Sequence, residues 1–245
     1  GKYYIAFAIS SMVLMASISM IRILLPVLSG MTNGRKRMGW KVLKISLTIA
    51  TPLLFILLAY PSIPLSILGK EYVAASETLR ILLVATIPLA ITHTVTNLAF
   101  SYGMYTKVLE IGLYQNIPRL ILYLALAKTM GGLGVAASYL IGSVAGLASS
   151  LKIANHIGFK IKWKELGKIV AIPLTISILA YITPLTLWPV ISLTIIIFSS
   201  ISYIKLNIIS KEELRELLTS IRPKFTAAKI DPIIDRLLNR LYKRE

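Results

Sequence analysis

Residues 108–153 read VLEIGLYQNIPRLILYLALAKTMGGLGVAASYLIGSVAGLASSLKI, two apolar runs of about 20 residues with only KTMG (128–131) between them. A helix of about that length crosses the hydrocarbon of a bilayer, and lipid offers no partner to a bare backbone amide, so such runs read as membrane-spanning helices. Working outward, similar runs lie at 3–25, 42–60, 79–103, 166–184 and 186–208, which with 108–127 and 132–153 gives seven. The chain therefore reads as an all-α, polytopic transmembrane bundle over 1–209, followed by a cytoplasmic basic amphipathic tail at 210–245.

Composition agrees: 56% of the 245 residues are hydrophobic and 15% charged, more apolar surface than one soluble core would hide. The net charge of +17 raises nucleic acid as a partner, but the basic residues sit in three clusters. These are Arg35, Lys36, Arg37, Lys41 and Lys44; Lys152, Lys160, Lys162, Lys164 and Lys168; and Lys205 with the tail. No aromatic platform or binding motif accompanies them, so no nucleic acid is expected. Basic loops mark the cytoplasmic side. With the Arg35 loop inside, Lys2, Lys70, Arg80 and Lys128 fall outside, Arg22 and Arg119 lie within spans, and the other 21 basic residues are internal. The expectation is a multi-pass protein of the plasma membrane, with Gly1 outside and the C-terminus in the cytoplasm. There are no cysteines, and the two histidines are far apart in sequence, so no metal or other cofactor is expected.

Between spans, 61–78 is expected to lie along the outer interface after Pro61 and Pro64, and 29–41 along the inner one, loosened by Gly30 and Gly34. Gly134, Ser138, Gly142, Gly146 and Ser150 recur every four residues, a ridge of small side chains that admits another backbone closely. Packing within the chain is expected there in preference to a dimer seam. Ser210 and Glu213 have the spacing of a capping box, and Asp231–Pro232 opens a second tail helix with Ile233, Leu237 and Leu241 on one face.

An ionisable side chain deep in a span is costly unless it faces water or a partner. Arg22, Glu110 and Arg80 lie near span ends, where they can snorkel. Arg119 sits about nine residues, or about 14 Å, from either end of its span. Gln115 and Asn116 lie beside it, and Pro118 removes the amide that would bond the Tyr114 carbonyl. His93 and Asn97, spaced i, i+4, add a second polar stripe in the third span. Arg119, Gln115, Asn116, His93, Asn97 and Arg22 are the candidate substrate-binding residues. Paired carboxylates at membrane depth, phosphate loops and nucleophile–base spacings are absent, so catalysis is not expected.

Three stretches carry a family resemblance: GKYYIAFAISSMVL (1–14) followed by ILLPVLSGM (23–31); ILGKEYVAASETLRILLVATIP (67–88), with Ile67, Leu68, Gly69, Tyr72, Ala75 and Leu79 to Leu82; and NIPRLILYLALAKTMGGLGVAASYLIG (116–142). Together they resemble the polysaccharide and O-antigen flippases of the multidrug/oligosaccharidyl-lipid/polysaccharide exporter superfamily. That resemblance implies twelve to fourteen spans in two lobes around a central cavity, of which this chain matches spans eight to fourteen, the C-terminal lobe. It implies a lipid-linked oligosaccharide of the polyprenyl phosphate type as substrate, membrane lipids as surroundings, and an N-terminal lobe or partner chain to complete the cavity. The initial Gly1 fits a fragment. Members often couple to a proton or sodium gradient; no acidic ion site is evident here. Other readings are a cation exporter of the same superfamily, a membrane-embedded polymerase or glycosyltransferase, and a non-transporting assembly subunit.

Overall fold

A computed structural model describes residues 1–213 and 215, apart from the side chains of Met20, Arg22, Ile23, Leu24 and Tyr181. Its principal elements are helices α1 (Lys2–Gly30), α2 (Arg35–Ala59), α3 (Ser62–Leu68), α4 (Ser76–Val84), α5 (Thr86–Ser101), α6 (Tyr105–Ile157), α7 (Trp163–Ser177) and α8 (Trp188–Lys205). Short 3-10 turns occupy Lys70–Ala75, Ile178–Tyr181 and Leu185–Leu187, and no strand occurs among the described residues. Five helical stretches are long and apolar enough to cross a membrane. The 15 residues of α7 fall short alone, but with the 3-10 turn that continues them they reach about 30 Å.

The helices lie on the expected runs, with three differences. Residues 29–41 form no separate interfacial segment: α1 persists to Gly30, and Gly34, at φ 82°, reverses the chain so that Arg35, Arg37 and Lys41 ride on the first turns of α2. The third run is two helices. Pro88 has no amide for the Val84 carbonyl, so the ladder breaks after α4 and resumes at Thr86. The fourth and fifth runs form α6, which doubles back at Gly131, where φ is 53° and ψ −131°. Eight residues of straight helix would separate Leu126 from Gly134 by about 12 Å; instead a Cβ on Gly134 would collide with the Leu126 carbonyl.

Between α2 and α4, α3 buries Leu65 completely and leaves Ile67 79% exposed, so the amphipathic piece of 61–78 precedes Gly69. At the other end, the Ser210 amide donates to Glu213 Oε2 (2.9 Å) and the Glu213 amide to Ser210 Oγ (3.2 Å), which is the capping box. The second tail helix expected from Asp231 lies outside the described residues.

Helix α1 is central, packed on α2, α4, α5 and α6, while α2 also carries α7 and α8. One apolar cluster centres on Ile21, Leu43, Leu98, Ile153, Ile169 and Tyr203, and a second on Ala6, Val13, Leu54, Leu65, Leu79 and Leu83. Pro173 explains a polar contact inside the first. It cannot donate to the Ile169 carbonyl, and the Tyr203 hydroxyl does so instead at 2.8 Å, with Thr51 Oγ1 3.0 Å from the same hydroxyl. Along 105–130 an apolar face is left open, with Leu109, Leu120, Ile121 and Leu124 each 60–73% exposed. Such a face needs lipid or another polypeptide against it.

Candidate functional site

The α6 hairpin places the candidate arginine. Its second limb presents Gly134, Ser138, Gly142, Gly146 and Ser150, all buried, to the first. A Cβ on Gly142 would lie 2.6 Å from the Gln115 carbonyl and 2.7 Å from Arg119 Cβ; one on Gly146 would lie 2.8 Å from Gln115 Oε1. The ridge of small residues thus seats the two limbs on each other, with Arg119 opposite Gly142. Arg119 is twelve residues from the turn at Gly131, about 18 Å of helix and near mid-depth in a span.

Three groups hold the half-buried guanidinium. Nη2 donates to Ser143 Oγ at 3.2 Å, Nη1 to Asn116 Oδ1 at 3.5 Å, and Cζ stands 4.2 Å from the Tyr139 ring centroid. A cation over an aromatic face contributes about 0.5–2 kcal/mol, more as water is excluded. Arg119 Nε is buried with no partner. It lies at the contact between the limbs, 3.1 Å from where a Cβ on Gly142 would stand, and an N–H left unsatisfied away from water costs about 1–3 kcal/mol.

Aromatic rings extend this group towards α1. Tyr139 meets Phe7 edge to face at 5.7 Å, Phe7 stacks with Tyr3 at 6.0 Å, and Tyr123 lies near Tyr3. The N-terminal half of α1 and both limbs of α6 therefore set a guanidinium among aromatic rings, a surface suited to anionic oxygens and to the hydroxyls and apolar faces of sugars.

The other expected residues divide. Gln115 lies against Gly146 between the limbs. Asn116 is exposed, and its Nδ2 donates to the Gly112 carbonyl at 2.9 Å. Asn97 Nδ2 donates to the Ile21 carbonyl of α1 at 3.0 Å, and His93, one turn away and half-buried, is likewise engaged. The backbone of Arg22 adjoins that contact, while its side chain lies outside the described residues. Arg119 and its neighbours thus adjoin the N-terminal half of α1, and Asn97 adjoins the C-terminal half. Their hydrogen bonds do not join them.

Tyr139, Ser143, Tyr3 and Tyr123 were missed in the sequence. Tyr139 and Ser143 are spaced i, i+4 beside the small ridge, and folding 105–157 about Gly131 would have set that stripe opposite Arg119.

Three charged side chains near span ends act within the fold. Arg35 Nε donates to the Met31 carbonyl (2.8 Å) and Nη1 to the Ser101 carbonyl (2.5 Å), tying off the ends of α1 and α5 while its guanidinium lies over Tyr102. Arg80 Nε donates to the Leu58 carbonyl at the end of α2. Glu110 is paired with Lys107 at 2.9 Å. Comparison with known proteins gives no match: no family model, curated protein or solved structure is significantly similar to this chain.

Proposed function

We propose that the chain is one lobe of a flippase that carries a lipid-linked oligosaccharide from the inner to the outer leaflet by alternating access. The observation that carries this reading is Arg119, a guanidinium at mid-span depth set beside Tyr139, Ser143 and Asn116. A cation at that depth is expensive and is retained where something anionic or hydrated passes. The polyprenyl diphosphate headgroup of such a substrate is anionic and must cross hydrocarbon. The sequence resemblance supports the same reading, as does the all-helical bundle with its open apolar faces.

In this reading Gly1 is external, the C-terminus is cytoplasmic in the plasma membrane, and the seven apolar runs all cross. The N-terminal lobe or a partner chain covers the open face of α6 and supplies the opposite cavity wall. Arg119 contacts the diphosphate or sugar, Gln115, Asn116, Asn97 and His93 are secondary cavity residues, and Arg22 attracts the headgroup at the inner mouth. The test replaces Arg119 by Lys and by Gln in the complete transporter and measures surface glycan at matched protein level. Glycan falls at least tenfold with Gln, and Lys restores part of it. Full glycan with Gln removes Arg119 from the path.

A further inference from the structure

Two hollows outside the Arg119 region lie along one face of α2. Its side chains Arg37, Lys41, Lys44, Thr48, Pro52 and Ile56 recur every three or four residues and so form a single stripe. The first three, with Trp40, Lys162 and Glu213, line a cavity of about 670 Å³. The last three, with Ile196, Ser200 and Tyr203 of α8, line a groove of about 370 Å³. The two are consecutive: Lys44 and Thr48 are one turn apart and joined by a 2.7 Å bond from Thr48 Oγ1 to the Lys44 carbonyl, while Ile209 lines the groove and Ser210 the cavity.

Their chemistry differs. In the groove every hydroxyl is spent internally, Thr48 on Lys44, Ser200 on the Ile196 carbonyl and Tyr203 on the Ile169 carbonyl, so the walls offer water nothing and suit hydrocarbon. In the cavity Arg37, Lys41, Lys44 and Lys162 face Glu212 and Glu213. Lys44 is paired with Glu213 at 2.7 Å, and Lys162 with Glu165 at 3.0 Å, just outside the lining. Counting Glu165, four cations meet three carboxylates, and Arg37 has no ion-pair partner among the described residues. The lining is net positive.

We propose that this is a binding site for one anionic glycerophospholipid, its phosphate in the basic cavity beside Arg37 and an acyl chain along the groove between α2 and α8. The groove wall from Thr48 to Ile56 provides about 12 Å of apolar length. The site is separate from Arg119 and does not depend on what the chain transports.

The test uses the full chain in phosphatidylcholine vesicles, with spin-labelled phosphatidylglycerol or spin-labelled phosphatidylcholine as probe. It reads the ratio of motionally restricted lipid for the two headgroups. A ratio of about five is expected, the size of one basic side chain's attraction to an anionic lipid. Arg37→Gln brings it close to one, Arg37→Lys retains it, and Ser200→Trp, which fills the groove, lowers the restricted phosphatidylglycerol. Arg37 is exposed, so its variants test binding without disturbing the core. Three results overturn the proposal: a ratio near one in the unaltered chain, an equal loss with the exposed Lys164→Gln outside the cavity, and a ratio that rises when 216–245 are deleted. The second would assign the preference to the whole basic rim, and the third would make the chain's own tail the occupant.

Discussion

Gly142→Ala offers a direct reading of how tightly the two limbs of α6 are seated. Alanine is preferred over glycine inside a helix by about 0.5–1 kcal/mol, and in open space the substitution should stabilise by that amount. Gly112, on the first limb of the same hairpin, has nothing within 4 Å of an added Cβ and shows this gain alone. At Gly142 the methyl would meet the Gln115 carbonyl at 2.6 Å and Arg119 Cβ at 2.7 Å, where ordinary contact begins at 3.4 Å. The limbs must part by about 0.8 Å, and backbone on one side cannot yield as a side chain would. Overpacking of this kind costs about 1–3 kcal/mol. Gly112→Ala is therefore expected to be more stable than the parent, and Gly142→Ala less stable than Gly112→Ala by about 1–3 kcal/mol. Reversible unfolding in mixed micelles measures both. Equal stabilities would mean that the limbs are not in contact at Gly142 and would remove the basis for placing Arg119 beside Tyr139 and Ser143.

Tyr203→Phe removes the shorter of two hydroxyl donors to the Ile169 carbonyl, leaving only Thr51 Oγ1 at 3.4 Å, and should cost about 1 kcal/mol. Adding Pro173→Ala restores an amide to that carbonyl, so in a double-mutant cycle the loss should shrink; unchanged loss would mean the Tyr203 bond does not serve the proline gap. Arg35→Lys keeps the charge but cannot reach the Met31 and Ser101 carbonyls with one planar fork, and should lower unfolding stability by about 1 kcal/mol. A neutral result would show the clamp to be idle. Ser210→Ala removes the cap beneath the Lys44–Glu213 pair and should cost about 1 kcal/mol locally, read as faster hydrogen exchange at the Glu213 amide. Unchanged exchange there would refute it.

Helix positions were legible because lipid forces each crossing segment to be both apolar and long, and the capping box was legible because it is local. The ridge at Gly134–Ser150 was legible as a close approach, and its partner followed once Gly131 was seen as a reversal. What pattern did not reveal were relations between distant segments: the Tyr203 bond that answers Pro173, the Arg35 fork that closes two helices, and the ring of Tyr139, Phe7, Tyr3 and Tyr123 around Arg119. The break at Ala85 was written locally, in the missing amide of Pro88, but a run of hydropathy does not register a lost hydrogen bond. Arg35 illustrates the opposite error. A basic loop residue reads as a headgroup contact, whereas its reach to two carbonyls depends on α5 ending beside it.

Interlocked through residues that lack room even for a methyl, the two limbs of α6 must travel as one lever in any rocking of the bundle. Ser143, Tyr139 and Asn116 then keep their distances to Arg119 in any such movement, and what varies around the guanidinium comes from α1. That helix has its own points of give: Ser10, Ser19 and Ser29 each turn their hydroxyls back on carbonyls three or four residues earlier, and Pro26 interrupts its ladder. Any displacement of Tyr3 and Phe7 on α1 would therefore change what surrounds the guanidinium without altering its seat between the limbs of α6.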